Sequence, residues 1–235
     1  MKLKVLNDEE INETIADKIC TLIKQKPNLV LGLATGSTPL GVYKKLVEKF
    51  KKGEVSFKDV KTFNLDEYVG LDGTHDKSYR YFMDTNLFDH IDIKKENTHF
   101  PNQNTPQTYD DDIKNAGGID FQILGIGSNG HIAFNEPETP FDTKTHIVNL
   151  TDSTIKDNSR FFKHIEDVPR KAISMGLNTI MQAKEIVLIA TGENKAEAIR
   201  RLLTENPNTN LPASILKYHK NTTIFCNKSS ANLLK

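Results

Sequence analysis

Short apolar runs alternate with amphipathic segments along the chain. The clearest run, residues 29–33 (LVLGL), has the continuous apolar character of a strand that is buried on both faces. Segments with apolar residues at helical spacing follow such runs. The predicted strands cover residues 3–6, 29–33, 60–64, 119–126, 171–175, 185–191 and 222–226. The predicted helices run from a cap at 7 or 8 to about 25, and over about 39–50, 78–90, 153–163 and 194–204.

This alternation predicts the fold class. Strands joined by helices form a mainly parallel sheet with helices on both faces, a Rossmann-like three-layer α/β sandwich. A length of 235 residues fits a single domain, residues 1–235. The polar stretch 101–118 contains two prolines and a Gly-Gly pair, and we expect a loop with a short helix there rather than a domain boundary.

Composition limits the classes of partner. The chain carries 31 Lys and Arg against 31 Asp and Glu, so it has no overall field that would attract nucleic acid or a membrane surface. The N-terminus MKLKVLNDEE lacks the features of a signal peptide, and no apolar run reaches the length of a membrane span. Cys20 and Cys226 are expected to be buried thiols in a reducing cytoplasm, with a disulfide as the alternative. Without a Cys-X-X-Cys or His/Cys cluster, we expect no metal and no cofactor.

The segment with the most chemistry is 125–137, GIGSNGHIAFNEP. It follows a predicted buried strand, and the carboxyl ends of strands are where α/β sheets bind ligands. Its glycines permit unusual backbone angles, and His131 can transfer a proton near neutral pH. Glu136 is close enough in sequence to orient that imidazole. The alternative is a turn that only connects two elements, with His131 on the surface.

A second strand-to-helix turn, 34–39 (ATGSTP), has the character of a phosphate site. Free backbone N–H groups, hydroxyls and the start of a helix favour an anion here. The turn matches neither the P-loop nor the Gly-X-Gly-X-X-Gly pattern. The alternative is an ordinary helix start with Ser37 or Thr38 as the N-cap.

Further charged residues follow other predicted strands or lie in a helix. Asp66 and Glu67 leave the strand at 60–64, and adjacent acids in such a place are often solvated loop charges. Arg160 lies in a predicted helix and Lys195 in another predicted strand-to-helix turn. Most Lys and Arg side chains are surface charges. Only convergence on one anion would give these two a common function.

Taken together, these motifs resemble a known family over essentially the whole chain. The segments ATGSTP (34–39), FNLDEYVGL (63–71), SYRYFM (78–83), LGIGSNGHIAFNEP (124–137), NSRFF (158–162) and GENKAEA (192–198) are similar to those of the glucosamine-6-phosphate deaminase (isomerase) family. The 6-phosphogluconolactonases share the fold but typically continue after the histidine with Ala-Ser-Leu-Phe-Pro, whereas this chain has Ile-Ala-Phe-Asn-Glu-Pro. The resemblance therefore favours the deaminases.

The resemblance implies an activity. Members convert glucosamine 6-phosphate and water to fructose 6-phosphate and ammonia in amino-sugar (N-acetylglucosamine) catabolism in the cytoplasm, by aldose–ketose isomerisation and deamination. It implies that Asp66 moves the C2 proton to C1 and that His131 opens the sugar ring, oriented by Asn129 and Glu136. Asn129 departs from members with aspartate there; it can still accept a hydrogen bond but cannot neutralise an imidazolium, which leaves more of that task to Glu136. The phosphate positions it implies are Gly36, Ser37, Thr38, Arg160 and Lys195. Glu67 is retained from the family pattern, and we assign it no catalytic role.

Three other functions stay open on the sequence. They are a 6-phosphogluconolactonase-like hydrolase, an aldose–ketose isomerase that does not deaminate, and a non-catalytic sugar-phosphate sensor. The sensor would need a DNA-binding segment, for which we see no room before the first strand.

The resemblance also bears on regulation. Allosteric hexamers of the family carry cations after the Glu-Pro turn and a C-terminal extension. This chain has His146, Val148 and Asn149 on that segment and ends at Lys235, shortly after its last predicted strand. We expect hyperbolic kinetics and a monomer or low-order homo-oligomer.

Overall fold

The computed structural model describes residues 1–234, and Lys235 lies outside the described residues. It has the predicted alternation of strands and helices. The strands are β1 (Lys2–Val5), β2 (Val30–Leu33), β3 (Lys61–Asn64), β4 (Asp66–Tyr68), β5 (Thr98–His99), β6 (Phe121–Gly125), β7 (His146–Asn149), β8 (Lys171–Ser174), β9 (Glu185–Ala190) and β10 (Thr222–Cys226). The α-helices are α1 (Asp8–Gln25), α2 (Leu40–Lys51), α3 (Tyr79–Asn86), α4 (Thr108–Asn115), α5 (Asp152–Asn158), α6 (Leu177–Ile180) and α7 (Ala196–Thr204).

Seven strands form one parallel sheet in the order β1-β10-β9-β6-β2-β3-β5. From β2 the chain proceeds to one edge of the sheet through β3 and β5. From β6 it proceeds in the opposite direction through β9 and β10, so the strand order reverses between β2 and β6. The loops after β2, β3, β6 and β9 therefore emerge along one edge near this reversal, where α/β sheets place their ligands. The predicted α/β class with a mainly parallel sheet is confirmed.

A second, three-stranded sheet was not predicted. It is antiparallel in the order β4-β8-β7, and the strand predicted at 171–175 belongs to it rather than to the parallel sheet. β4 and β7 escape sequence patterns because they are three and four residues long and pair with a strand far along the chain. The two sheets meet at Leu65, whose N–H donates to Leu33 O (3.0 Å) and whose carbonyl accepts from Met175 N (2.7 Å).

Two predicted helices are shorter than expected. The 78–90 segment is helical only to Asn86 and continues as a 3₁₀ turn, Phe88–His90. The 153–163 segment is α5 followed by a 3₁₀ turn, Ser159–Phe161. The start of α1 agrees with prediction, since Asn7 and Glu10 form a reciprocal capping box.

The apolar core packs on both faces of the large sheet, and both cysteines are buried within it as free thiols. A smaller apolar cluster under α5 centres on Tyr68, Phe134, Leu150 and Ile155. Among residues 1–234 no helix is both long and apolar enough to cross a membrane.

Candidate active site

A cavity of about 370 Å³ opens at the carboxyl edge of the parallel sheet. Its lining includes seven of the residues that the sequence singled out: Gly36, Ser37, Thr38, Asp66, His131, Arg160 and Lys195. The other two, Asn129 and Glu136, lie behind His131 and contact it or each other. Five segments that are distant in sequence thus contribute to one cavity.

The turn after β2 leaves its polar groups available to a ligand. Gly36 has φ of +87°, a conformation that favours glycine, and the hydroxyl of Tyr43 secures the turn by donating to the carbonyl of Ala34. The residue at the N-cap of α2 is Pro39, and no side chain caps the helix. The alternative in which Ser37 or Thr38 serves as the N-cap is therefore wrong.

Two cations face the same cavity from other elements. Arg160 lies in the 3₁₀ turn after α5, with its guanidinium 4.7 Å from the centre of the Phe161 ring. Lys195 ends the 3₁₀ turn after β9. Burial lowers the pKa of Lys195; attraction to Asp157 opposes this, and repulsion by Arg160 adds to it. The two cations thus influence each other, as groups around one anion site do.

Asp66 is a buried carboxylate at the cavity wall. It begins β4 and is only 7% exposed. Burial, with a further contribution from the neighbouring charge of Glu67, raises its pKa from 3.8 to about 8. A carboxylate with such a pKa is a stronger base than an exposed one and is suited to proton transfer near neutral pH.

Glu67 has a structural task. Its Oε1 accepts from the backbone N–H groups of Tyr68 (2.8 Å) and Tyr79 (2.9 Å), and its Oε2 accepts from that of Arg80 (2.9 Å). It thereby binds the start of α3 to β4, next to Asp66.

The loop after β6 places the imidazole of His131. A Cβ atom at Gly127 would lie 2.3 Å from the ring, so the ring occupies the space that this glycine leaves empty. Gly130, with φ of +87°, turns the chain just before the histidine. The Nδ1 atom of His131 lies 3.5 Å from Oε2 of Glu136. Glu136 is therefore the carboxylate that faces the ring.

Asn129 acts on the neighbours of the ring. Its Oδ1 accepts from the backbone N–H of His131 (3.1 Å), and its Nδ2 donates to Oε2 of Glu136 (2.9 Å). The sequence suggested that this amide could itself accept a hydrogen bond from the imidazole; instead its side chain is bonded to the main chain and to the carboxylate.

The environment keeps Glu136 ionised. Burial favours its neutral form, but the interactions with His131 and the hydrogen bonds from Thr154 and Asn129 outweigh burial and lower its pKa to about 2. The Thr154 hydroxyl donates to Oε1, the oxygen that Asn129 does not contact.

Several site residues were missed by sequence reasoning. Thr154 lies 18 positions from Glu136, and Asp157, whose carboxylate accepts from the Ser128 hydroxyl (2.9 Å), lies 29 positions from that serine. Tyr68 and Tyr79, with ring centres 4.8 Å apart, line the cavity beside Asp66. Only the two tyrosines carried a signal, since both fall inside the family-like segments. Among the described residues no group of His, Cys, Asp and Glu side chains could hold a metal ion.

Comparison with known proteins places the chain in a family. The sequence model of the glucosamine-6-phosphate isomerases/6-phosphogluconolactonase family matches residues 7–225. A glucosamine-6-phosphate deaminase of Thermoanaerobacter sp. (strain X514) is 54% identical, over 97% of this chain and 93% of that protein. One of Mycoplasma mycoides subsp. mycoides SC is 52% identical, over 100% of this chain and 98% of that protein.

Solved structures agree. A structure described as a monomeric glucosamine-6-phosphate deaminase superimposes with a TM-score of 0.97 at 40% identity, covering 99% of this chain and 100% of that one. A 6-phosphogluconolactonase from Thermotoga maritima shares the fold, with a TM-score of 0.77 at 21% identity over 97% of this chain and 99% of that one. With its family-like segments gathered around one cavity, the chain belongs to the glucosamine-6-phosphate isomerase/6-phosphogluconolactonase family.

Proposed function

We propose that this protein converts glucosamine 6-phosphate and water to fructose 6-phosphate and ammonia. The observation that carries the proposal is the shared cavity: a buried carboxylate of raised pKa, a histidine–glutamate pair and an anion site all face it. Relatives at 49–54% identity over nearly the whole chain bear the name of this deaminase. The 6-phosphogluconolactonases of known structure, at about 20% identity, are more distant relatives with the same fold.

Substrate binding begins at the phosphate. The turn after β2 offers backbone N–H groups and the hydroxyls of Ser37 and Thr38, with Gly36 keeping the approach open. Arg160 supplies a planar fork of donors, and Lys195 supplies a compact charge. This combination suits a phosphate dianion at one end of an elongated sugar.

Ring opening falls to His131. The pyranose opens when O5 gains a proton and O1 loses one. The His131 imidazole faces the cavity and can take the proton from O1 and deliver one to O5. The carboxylate of Glu136, 3.5 Å from Nδ1, stabilises the charged ring and leaves Nε2 as the nitrogen for substrate. Asn129 holds both residues in place through its hydrogen bonds to the backbone of His131 and the carboxylate of Glu136.

Isomerisation then falls to Asp66. Its carboxylate takes the C2 proton of the open-chain amino-aldose while O1 gains a proton, which gives an enolamine. The protonated Asp66 then delivers its proton to C1, and the nitrogen loses one. The product is the imine of fructose 6-phosphate. Water adds to the imine carbon, and ammonia leaves. Each step moves protons between oxygen, nitrogen and carbon, and the net reaction consumes one water and releases one ammonia.

Two assays test this function. Purified protein is given glucosamine 6-phosphate, and ammonia and fructose 6-phosphate are measured in parallel; we expect them in equal amounts. Glucosamine without phosphate is the matched control and should react poorly. A protein that produces neither product, or that hydrolyses 6-phosphogluconolactone instead, would refute the proposal. A ketose product without ammonia would identify an isomerase.

The same proposal covers the setting of the enzyme. We propose that residues 1–235 form one catalytic domain, that the enzyme works in the cytoplasm, and that it is a monomer or low-order homo-oligomer without nucleic-acid or membrane partners. The balanced charge and the resemblance to a solved deaminase described as monomeric support this.

A further inference from the structure

Thr154 is buried at the back of the active site and has no assigned role. It lies in α5, is 2% exposed, and its hydroxyl donates to Oε1 of Glu136. Oε2 of the same carboxylate accepts a hydrogen bond from Asn129 Nδ2 and faces the imidazole of His131. Thr154 and Asn129 therefore each donate to a different oxygen of the carboxylate, and together they fix its orientation.

The direction of the Thr154 hydroxyl is also determined by its neighbours. Thr151, the N-cap of α5, accepts from the backbone N–H of Thr154 (3.3 Å) and lies 3.2 Å from its hydroxyl, to which it donates. The Glu136 carboxylate can only accept, so the Thr154 hydroxyl hydrogen points toward it. The cap of α5 and the carboxylate behind the histidine thus form one hydrogen-bonded chain.

We propose that Thr154 is a positioning residue: its hydroxyl holds Glu136 in the rotamer that orients the His131 imidazole for proton transfer. The proposal deepens the deaminase function and rests on it. A carboxylate held at Oε2 alone can rotate about its side chain, which turns its charge away from Nδ1 and frees the ring. Because Thr154 does not reach the cavity, its removal acts through Glu136 and not through substrate contacts.

The test compares Thr154→Val, Thr154→Ser and Thr179→Val with the wild type. Valine keeps the shape and removes the donor, while serine keeps the donor. Thr179 is a matched control: it is 5% exposed, and its hydroxyl donates to the carboxylate of Asp110, away from the active site. Both valine variants lose one buried hydrogen bond to a carboxylate, so both should lose stability.

We expect Thr154→Val to lower kcat for ammonia release by about 10- to 100-fold, the range that corresponds to one hydrogen bond to a charged group, with KM little changed. Thr154→Ser should restore most of kcat, and Thr179→Val should keep it. A normal kcat in Thr154→Val, or a raised KM with normal kcat, would overturn the proposal, because the second result indicates displacement of the α5 segment that carries Arg160.

A second readout does not depend on activity. The imidazole ¹⁵N resonances of His131, assigned by their loss in His131→Asn, are recorded at one pH. They should shift in Thr154→Val, return in Thr154→Ser and stay in place in Thr179→Val. Unshifted resonances in Thr154→Val would refute positioning even if the wild type proved to have another activity. A wild type that releases no ammonia would instead refute the deaminase function.

Discussion

Replacing Asp66 with Asn should raise stability while it removes activity. In the folded protein this carboxyl has a pKa of about 8, against 3.8 for an ordinary aspartate, because burial and the charge of Glu67 disfavour ionisation. Below about pH 4 both folded and unfolded chains hold the proton, and asparagine is a near-isostere of that neutral acid. Between about pH 4 and 8 only the unfolded chain ionises, so wild-type stability falls as pH rises. Above about pH 8 the difference becomes constant.

The magnitude follows from the shift. At pH 7 the unfolded aspartate is about three pH units above its pKa while the folded one stays largely protonated, which corresponds to about 4 kcal/mol at 1.36 kcal/mol per unit. For a chain of this length that is roughly 10 °C in Tm. The neutral amide escapes this cost at every pH. The variant should thus be more stable at pH 7 and equal to the wild type near pH 4.

Urea unfolding of both proteins from pH 4 to 9 measures this difference. In parallel, ammonia release by Asp66→Asn should fall by about 10²- to 10⁴-fold with KM little changed, since a general base typically contributes that much. Wild-type kcat/KM should rise with pH up to about 8, as the carboxylate loses its proton. A variant that is less stable at pH 7, a stability difference without pH dependence, or near-normal turnover would each refute the reasoning.

Three further predictions concern other parts of the site. Arg160→Ala should raise KM for glucosamine 6-phosphate by about 10- to 100-fold with kcat nearly unchanged, because a charged hydrogen bond to phosphate is lost; steady-state kinetics measure this, and an unchanged KM would remove Arg160 from the site. Glu136→Gln should lower the free energy of unfolding by about 3 kcal/mol at pH 7, because the lowered pKa of Glu136 stabilises the fold above pH 4.5 and this stability is lost as pH falls toward 2. Urea unfolding at several pH values measures this, and a stability difference that persists in acid would contradict it. Steady-state kinetics should be hyperbolic, because His146 and Val148 in β7 provide no pair of cations for the phosphate of an effector. Sedimentation velocity should show a monomer or a low-order oligomer, and activation by N-acetylglucosamine 6-phosphate would disprove the prediction.

The parts of the fold that sequence patterns predicted are local. The apolar run before Gly125, the turn around Gly36 and the capping box at Asn7 each lie within a few residues, so a single stretch of sequence contains the whole pattern. The edge of the sheet at which they meet follows from strand–helix alternation. Asp66 and His131, which follow two of these strands, line one cavity there.

The remainder depends on contacts between distant segments. β7 alternates half-buried and exposed residues over only four positions, which is too short a pattern to predict a strand. The solvated-loop alternative for Asp66 could be rejected only when its burial was seen. The Thr154–Glu136 hydrogen bond joins two ordinary residues whose types carry no signal of contact.

The junction at Leu65 has a consequence for motion. Its amide is bonded to the parallel sheet and its carbonyl to the antiparallel one, so the backbone beside Asp66 can be displaced only by opening both sheets. Amide protons of Leu65 and Met175 should therefore exchange with solvent only through global unfolding, on the slowest timescale of the molecule. Residues 152–161 form one short helix and one 3₁₀ turn, and their backbone is not hydrogen-bonded into either sheet, so this segment should unfold locally far more often. When substrate enters and product leaves, we therefore expect the segment that carries Arg160 to move while Asp66 stays in place.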